Sequence, residues 1–232
     1  MRNSGVKSAV ALTMAFAAMA HADIVAGSSS GKFTNPVGDP GLVSTGVGTN
    51  HFTWGDGTAF SSPSNFVDFG GKSISSFTNT PFTVGTFTYF NGTTALGTNA
   101  TGVEMDVTLN LTDPAGVIQL FDFQLGITTT TNTTDPAASA DIVNLSNSFS
   151  SKTFVANGKT YTLLLNGFVN QNVTQGFVDA AGFHVYEGAT GTADLQAEIT
   201  LASNVPEPGS IVLLLTIGAS VVIPLRRRSK KA

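Results

Sequence analysis

The chain has 232 residues, of which 11 are basic and 15 acidic, for a net charge of −4, and it has no cysteine. Without cysteine there is no disulfide, no thiolate nucleophile and no thiolate metal site, so stability must come from burial. Most of the positive charge lies at the two ends, and 23–208 holds only Lys32, Lys72, Lys152 and Lys159 against all 15 acids. A surface of that sign repels nucleic acid and anionic lipid, which excludes nucleic-acid binding.

Residues 1–22 read as a secretory signal peptide. Arg2 and Lys7 form a charged start, AVALTMAFAAMA an apolar stretch, and Ala20-His21-Ala22 a small-x-small cleavage site. Cleavage there starts the mature chain at Asp23 and implies passage through the Sec export machinery.

Residues 23–204 have the length of one domain. The part before Asp56 is irregular, Ser- and Gly-rich over 27–31 and loop-like over 35–48, and it closes on the only tryptophan, Trp54. Beyond it the pattern is that of strands. Val103, Met105, Val107, Leu109 and Leu111 alternate with Glu104, Asp106, Thr108 and Asn110. Period two over nine residues predicts a strand with one wet face. Phe121, Phe123, Leu125 and Ile127 alternate in the same way, as do Tyr161, Leu163 and Leu165, and Ala193 to Leu201. Turns are expected at Asp113-Pro114-Ala115-Gly116, at Asn157-Gly158, a hairpin signal, and at Glu187-Gly188. Residues 128–140, TTTTNTTDPAASA with its leading Thr128, read as a low-complexity loop. The expected architecture is an all-β sandwich of roughly eight to twelve strands, jelly-roll-like.

Few residues invite chemistry. His51 and His184 lie far apart and outside any metal or protease motif, and a zinc site would need a third ligand. Glycoside hydrolysis needs two carboxyls roughly 5–9.5 Å apart, one with a raised pKa. Asp56, Asp68, Glu104, Asp106 and Asp122 could supply such a pair only if the fold brings two of them together. Glu104 and Asp106 share a strand face, which equally describes a solvated face. Calcium needs six to eight oxygens, and Asn132, Asp135 and Asp141 lie in a hydroxyl-rich loop without EF-hand spacing. Alternation puts Phe52 and Trp54 on one face, the arrangement of core aromatics more than of a sugar platform, with His51 and Thr53 on the other. The expectation is no catalytic residue and no obligatory cofactor, calcium being the one candidate.

The last 28 residues, 205–232, have three parts. Pro206 and Pro208 bracket Glu207 and hold the chain extended. Residues 210–225 carry no charge and suit a single membrane helix of roughly 25 Å. Arg226, Arg227, Arg228, Lys230 and Lys231 follow, a cluster that stays cytoplasmic. The domain ahead of the span is then outside the cytoplasm.

Val205-Pro206-Glu207-Pro208, the short apolar helix and the terminal arginines resemble the PEP-CTERM sorting signal of Gram-negative bacteria. The resemblance implies that Pro206, Glu207 and Pro208 are the motif read by exosortase, a membrane-embedded protease, and that Arg226, Arg227 and Arg228 are the retention signal. The inner membrane would hold the tail transiently before release to the cell envelope or medium. More weakly, Phe52-Thr53-Trp54-Gly55, residues 81–93 and Ser139-Ala140-Asp141-Ile142-Val143 resemble the choice-of-anchor domains of bacterial surfaces, K type. That family implies a β-rich surface domain and supplies no catalytic residues. The function expected is a non-enzymatic surface or matrix protein associated with exopolysaccharide or adhesion. The alternative is a carbohydrate-binding module or polysaccharide-active enzyme on the same export route.

Overall fold

A computed structural model describes residues 22–114, 116–145, 151–169 and 174–202. The expected sorting tail, and the expected signal peptide up to His21, lie outside the described residues. The strands in chain order are β1 (Ile24–Gly38), β2 (Ser44–Thr45), β3 (His51–Trp54), β4 (Asn65–Gly71), β5 (Ser73–Phe77), β6 (Phe82–Phe90), β7 (Ala100–Asp113), β8 (Val117–Thr128), β9 (Asp141–Leu145), β10 (Lys152–Ala156), β11 (Lys159–Val169), β12 (Gly176–Asp179), β13 (Gly182–Val185) and β14 (Thr190–Leu201). No α-helix occurs among the described residues; one 3-10 turn spans Thr58–Phe60.

The strands form two antiparallel sheets of seven. One runs β12-β13-β9-β8-β7-β1-β5 and the other β10-β11-β14-β6-β4-β3-β2. The chain passes repeatedly from one sheet to the other, and the two inner faces share one core. Rings meet across the gap: Phe33 of β1 with Phe52 and Phe87, and Phe183 of β13 with Tyr89 and Phe168. This is an all-β fold of sandwich architecture.

Strict alternation placed the core faces well. Val103, Met105, Val107, Leu109 and Leu111 of β7 are all buried, as are Phe123, Leu125 and Ile127 of β8 and Ala193, Leu195, Ala197 and Ile199 of β14. Asn157 (φ 50°) and Gly158 (φ 74°) close the β10–β11 hairpin between the paired Ala156 and Lys159. Two successive positive φ angles are what the favoured two-residue hairpin turn requires.

The count of fourteen exceeds the expected eight to twelve, and the departure begins before Asp56. Residues 24–38, which looked irregular, form the 15-residue β1, inserted between β5 and β7. Their small side chains have a packing reason. A Cβ on Gly31 would come within 2.7 Å of Phe69 Cδ1, and one on Gly85 of β6 within 2.2 Å of Phe69 Cζ. The Phe69 ring thus fills space that two glycines leave open, one in each sheet. Pro36, which has no N–H to donate, falls where the β1–β7 register shifts between Thr34 and Val37.

Both ends of the described chain sit at one pole of the sandwich. The Asp23 carboxylate accepts bonds from Lys159 Nζ (2.7 and 2.8 Å) and the Tyr161 hydroxyl (2.9 Å). These hydrogen bonds hold its pKa below the ordinary carboxylate value. Tyr161 pairs with Leu201, and Ala202 N–H donates to Thr160 C=O, so the chain leaves beside where it enters. The other end of β14, at Thr190, pairs with Phe90 and defines the opposite pole.

Candidate functional site

At that opposite pole β6 stops at Phe90, and three connections converge: 91–99, 129–140 and 186–189. Asn91 locks two of them together. Its N–H donates to Ala189 C=O (3.0 Å), its C=O accepts from Gly188 N–H (2.7 Å), and its Nδ2 donates to Val185 C=O (2.9 Å). Asn65 Oδ1 of β4 accepts the next amide, Gly92 N–H. The chain is thereby held around a cleft of about 470 Å³, whose lining includes Thr93, Thr94, Asn99, Thr130, Asn132, Asp141 and Glu187.

Two carboxylates line this cleft. Asp141 opens β9 and is 3% exposed. Thr130 donates to its Oδ1 from the backbone N–H (2.7 Å) and from the hydroxyl (3.2 Å). Glu187 accepts from the Thr93 hydroxyl. Burial pushes the Asp141 pKa up to about 6, against the two Thr130 bonds, and the nearby Glu187 charge pushes the same way. Beside them lies the fully buried Tyr89 hydroxyl, which makes no hydrogen bond of ordinary geometry. Burial, with Asp141 and Glu187 adding to it, raises its pKa well above the phenol value. The Asn91 Oδ1 atom is also buried without a partner.

The residues singled out from sequence fall in different places. Of the calcium candidates, Asn132 and Asp141 line the cleft, whereas Asp135 does not; its carboxylate accepts Ala137 N–H (3.0 Å) within the loop's own turn. His51 pairs with Asp68 (2.6 Å) on the outer face of one sheet, and His184 with Asp179 (2.9 Å) in the other sheet. They share no site, and no cluster of three or more His, Asp or Glu suited to a metal occurs among the described residues.

Glu104 and Asp106 behave as a solvated face. Asn35 Nδ2 donates to Glu104, and Lys32 sits 3.6 Å from Asp106. Asp122, opposite Asp106 in register, has Lys152 at 3.5 Å. Asp56 caps the turn at Thr58 by accepting its N–H (2.9 Å). Phe52 and Trp54 are core residues, Trp54 being stacked between Phe52 and Tyr89 at 5.6 Å each.

Sequence reasoning missed Glu187, which looked like a plain turn residue ahead of Gly188, together with Thr93, Thr94 and Asn99. No local pattern links them to Asp141. Only the meeting of the 91–99 and 186–189 connections does so.

The fold and cleft define a two-sheet β-sandwich with an acidic, oxygen-lined cleft at one pole. No protein-family model matches the chain, and no curated protein matches it.

Proposed function

We propose that this is an exported, non-enzymatic surface or matrix protein whose β domain is delivered by an exosortase-type protease acting on the C-terminal tail. The observation that carries this reading is the order of three parts within the last 28 residues: Pro206-Glu207-Pro208, an uncharged 210–225, and Arg226 to Arg228. The resemblance of the 23–204 domain to K-type choice-of-anchor domains supports a surface role, and the chain's repeated passage between sheets supports a jelly-roll-like winding. Intact-mass measurement and terminal sequencing of the protein from an exosortase-competent host test the sorting reading. The expected species begins at Asp23 and ends near Pro206 to Pro208. A species that keeps Arg226 to Lys231 would sink the sorting claim and leave an anchored protein.

Association with exopolysaccharide has its own support on the outer face of the β3-β4-β6 region. Phe66 and Phe90, both half-buried, stack there at 5.6 Å and 19°, and the His51 ring lies 5.4 Å from Phe66. Thr53 and Thr88 alternate with them beside the His51–Asp68 pair. Aromatic faces bordered by hydroxyls and a hydrogen-bonded His–Asp pair suit the apolar faces and hydroxyl rims of sugars. Phe66→Ala with Phe90→Ala is expected to cut retention on host exopolysaccharide at least tenfold while the fold survives. Unchanged retention would remove this face from consideration.

A further inference from the structure

We propose that the cleft at the pole opposite Asp23 and Ala202 is a calcium site, with Asp141 and Glu187 as its charged ligands. Four observations converge on it. The two carboxylates open into one cleft, and neither takes part in an ion pair among the described residues. Among the described residues no basic side chain lines the cleft. The described residues include four lysines, two histidines and no arginine, and each is placed elsewhere. Lys32, Lys152 and Lys159 pair with Asp106, Asp122 and Asp23, His51 and His184 with Asp68 and Asp179, and Lys72 lines a separate groove with Asp194.

Burying a carboxylate without a countercharge is costly, and buried charges are paired or coordinate metals. Asp141, at 3% exposure, is the most buried acid among the described residues, and none of the described ion pairs includes it. The third observation is the buried, unpartnered Asn91 Oδ1, in the residue that precedes Gly92 of the cleft wall; the Tyr89 hydroxyl, also fully buried, lies against Asp141 as a weak hydrogen-bond donor to it. A buried polar acceptor without a partner calls for an explanation, of which an absent ion is one.

The fourth observation is chemical. Among the polar side chains at the cleft are Thr93, Asn99, Thr130 and Asn132, which offer oxygen and neither sulfur nor imidazole. An all-oxygen set with two carboxylates, on irregular loops that need not meet octahedral geometry, selects calcium over zinc, copper or magnesium. Two carboxylates place the affinity in the weak range of extracellular calcium modules, a Kd of about 0.1–1 mM. The site differs from a loop site built on Asn132, Asp135 and Asp141, because Asp135 is absent from the cleft and Glu187 replaces it.

The test uses the full-length protein in detergent, stripped with EDTA and titrated with calcium by calorimetry. Terbium luminescence, sensitised through the adjacent Tyr89, serves as a second readout. One ion per chain is expected, with a rise in melting temperature at saturating calcium. Glu187→Gln and Asp141→Asn should each weaken binding at least tenfold, and Asp135→Asn should leave it unchanged. Glu187→Gln is the variant that keeps the test sharp, because it is expected to melt like the parent in EDTA while losing the calcium-induced rise. Absence of saturable binding at roughly 10 mM calcium, far above this range, would overturn the proposal. So would binding indifferent to Glu187→Gln, or binding lost on Asp135→Asn.

Discussion

Replacing Phe87 by alanine is expected to destabilise the domain by about 3–5 kcal/mol, the usual cost of removing a fully buried phenylalanine ring. Phe87 is 0% exposed in the middle of β6. Its ring meets Phe69 at 5.3 Å and 66°, Phe168 at 5.1 Å and 88°, and Phe33 at 6.3 Å and 68°. All three contacts are edge-to-face, the geometry that adds a quadrupole term to burial. Phe33 belongs to the facing sheet, so one ring joins β1, β4, β6 and β11. The hole cannot collapse easily, because Phe69 is already seated over Gly31 and Gly85. Against a typical total of about 5–15 kcal/mol, such a loss brings the variant near unfolding at ambient temperature. Urea denaturation measures it directly. A loss under about 1.5 kcal/mol would show that the ring does not hold the sheets together.

In metal-free buffer the protein is expected to lose stability as pH rises from about 4 to about 7. Asp141 is the cause. Its folded-state pKa of about 6 lies above the ordinary 3.8, so the folded chain holds a proton that the unfolded chain has already released. For an acid shifted upward, stability falls with rising pH between the two values, and the full loss is present above the higher one. A shift of about two units corresponds to about 3 kcal/mol. Asp23, Asp56 and Asp179 are shifted downward, by Lys159 and Tyr161, by Thr58, and by Ala181 and His184 respectively. Their stabilisation is present above 3.8 and disappears as pH falls through their lowered values, so it acts in a different window. The groups facing Asp141 are Glu187, Tyr89 and Thr130, and none supplies a positive charge. Asp141→Asn should therefore flatten the slope between pH 4 and 7 in thermal melts. A parent slope that the variant retains would assign it to another group.

What the sequence made legible was governed by local rules. The alternation in β7 and β14 works because a strand's side chains point to opposite faces in turn, so a half-buried strand records its burial residue by residue. The Asn157-Gly158 turn was legible because its backbone needs residues that tolerate positive φ. β1 was not legible, since its serines and glycines carry no burial signal of their own. They fit because of what packs on them, Met105 and Phe69 over Gly31 in particular. The cleft was half legible: Asn132 and Asp141 belong to one loop and its edge, whereas Glu187 arrives from 46 positions away. Such a meeting is a property of strand order, and strand order is not written in any window of sequence.

The placement of both ends of the described chain, Asp23 and Ala202, at one pole has a mechanical meaning. β14 spans twelve residues, about 40 Å at strand rise, between the pole beside Tyr161 and the pole beside Phe90. Whatever grips the chain past Ala202 therefore holds the domain like the foot of a post, with the cleft at its free tip. Equally, load applied through Asp23 and Ala202 enters at one corner and peels the strands there in sequence, so the tip should be the last part to yield.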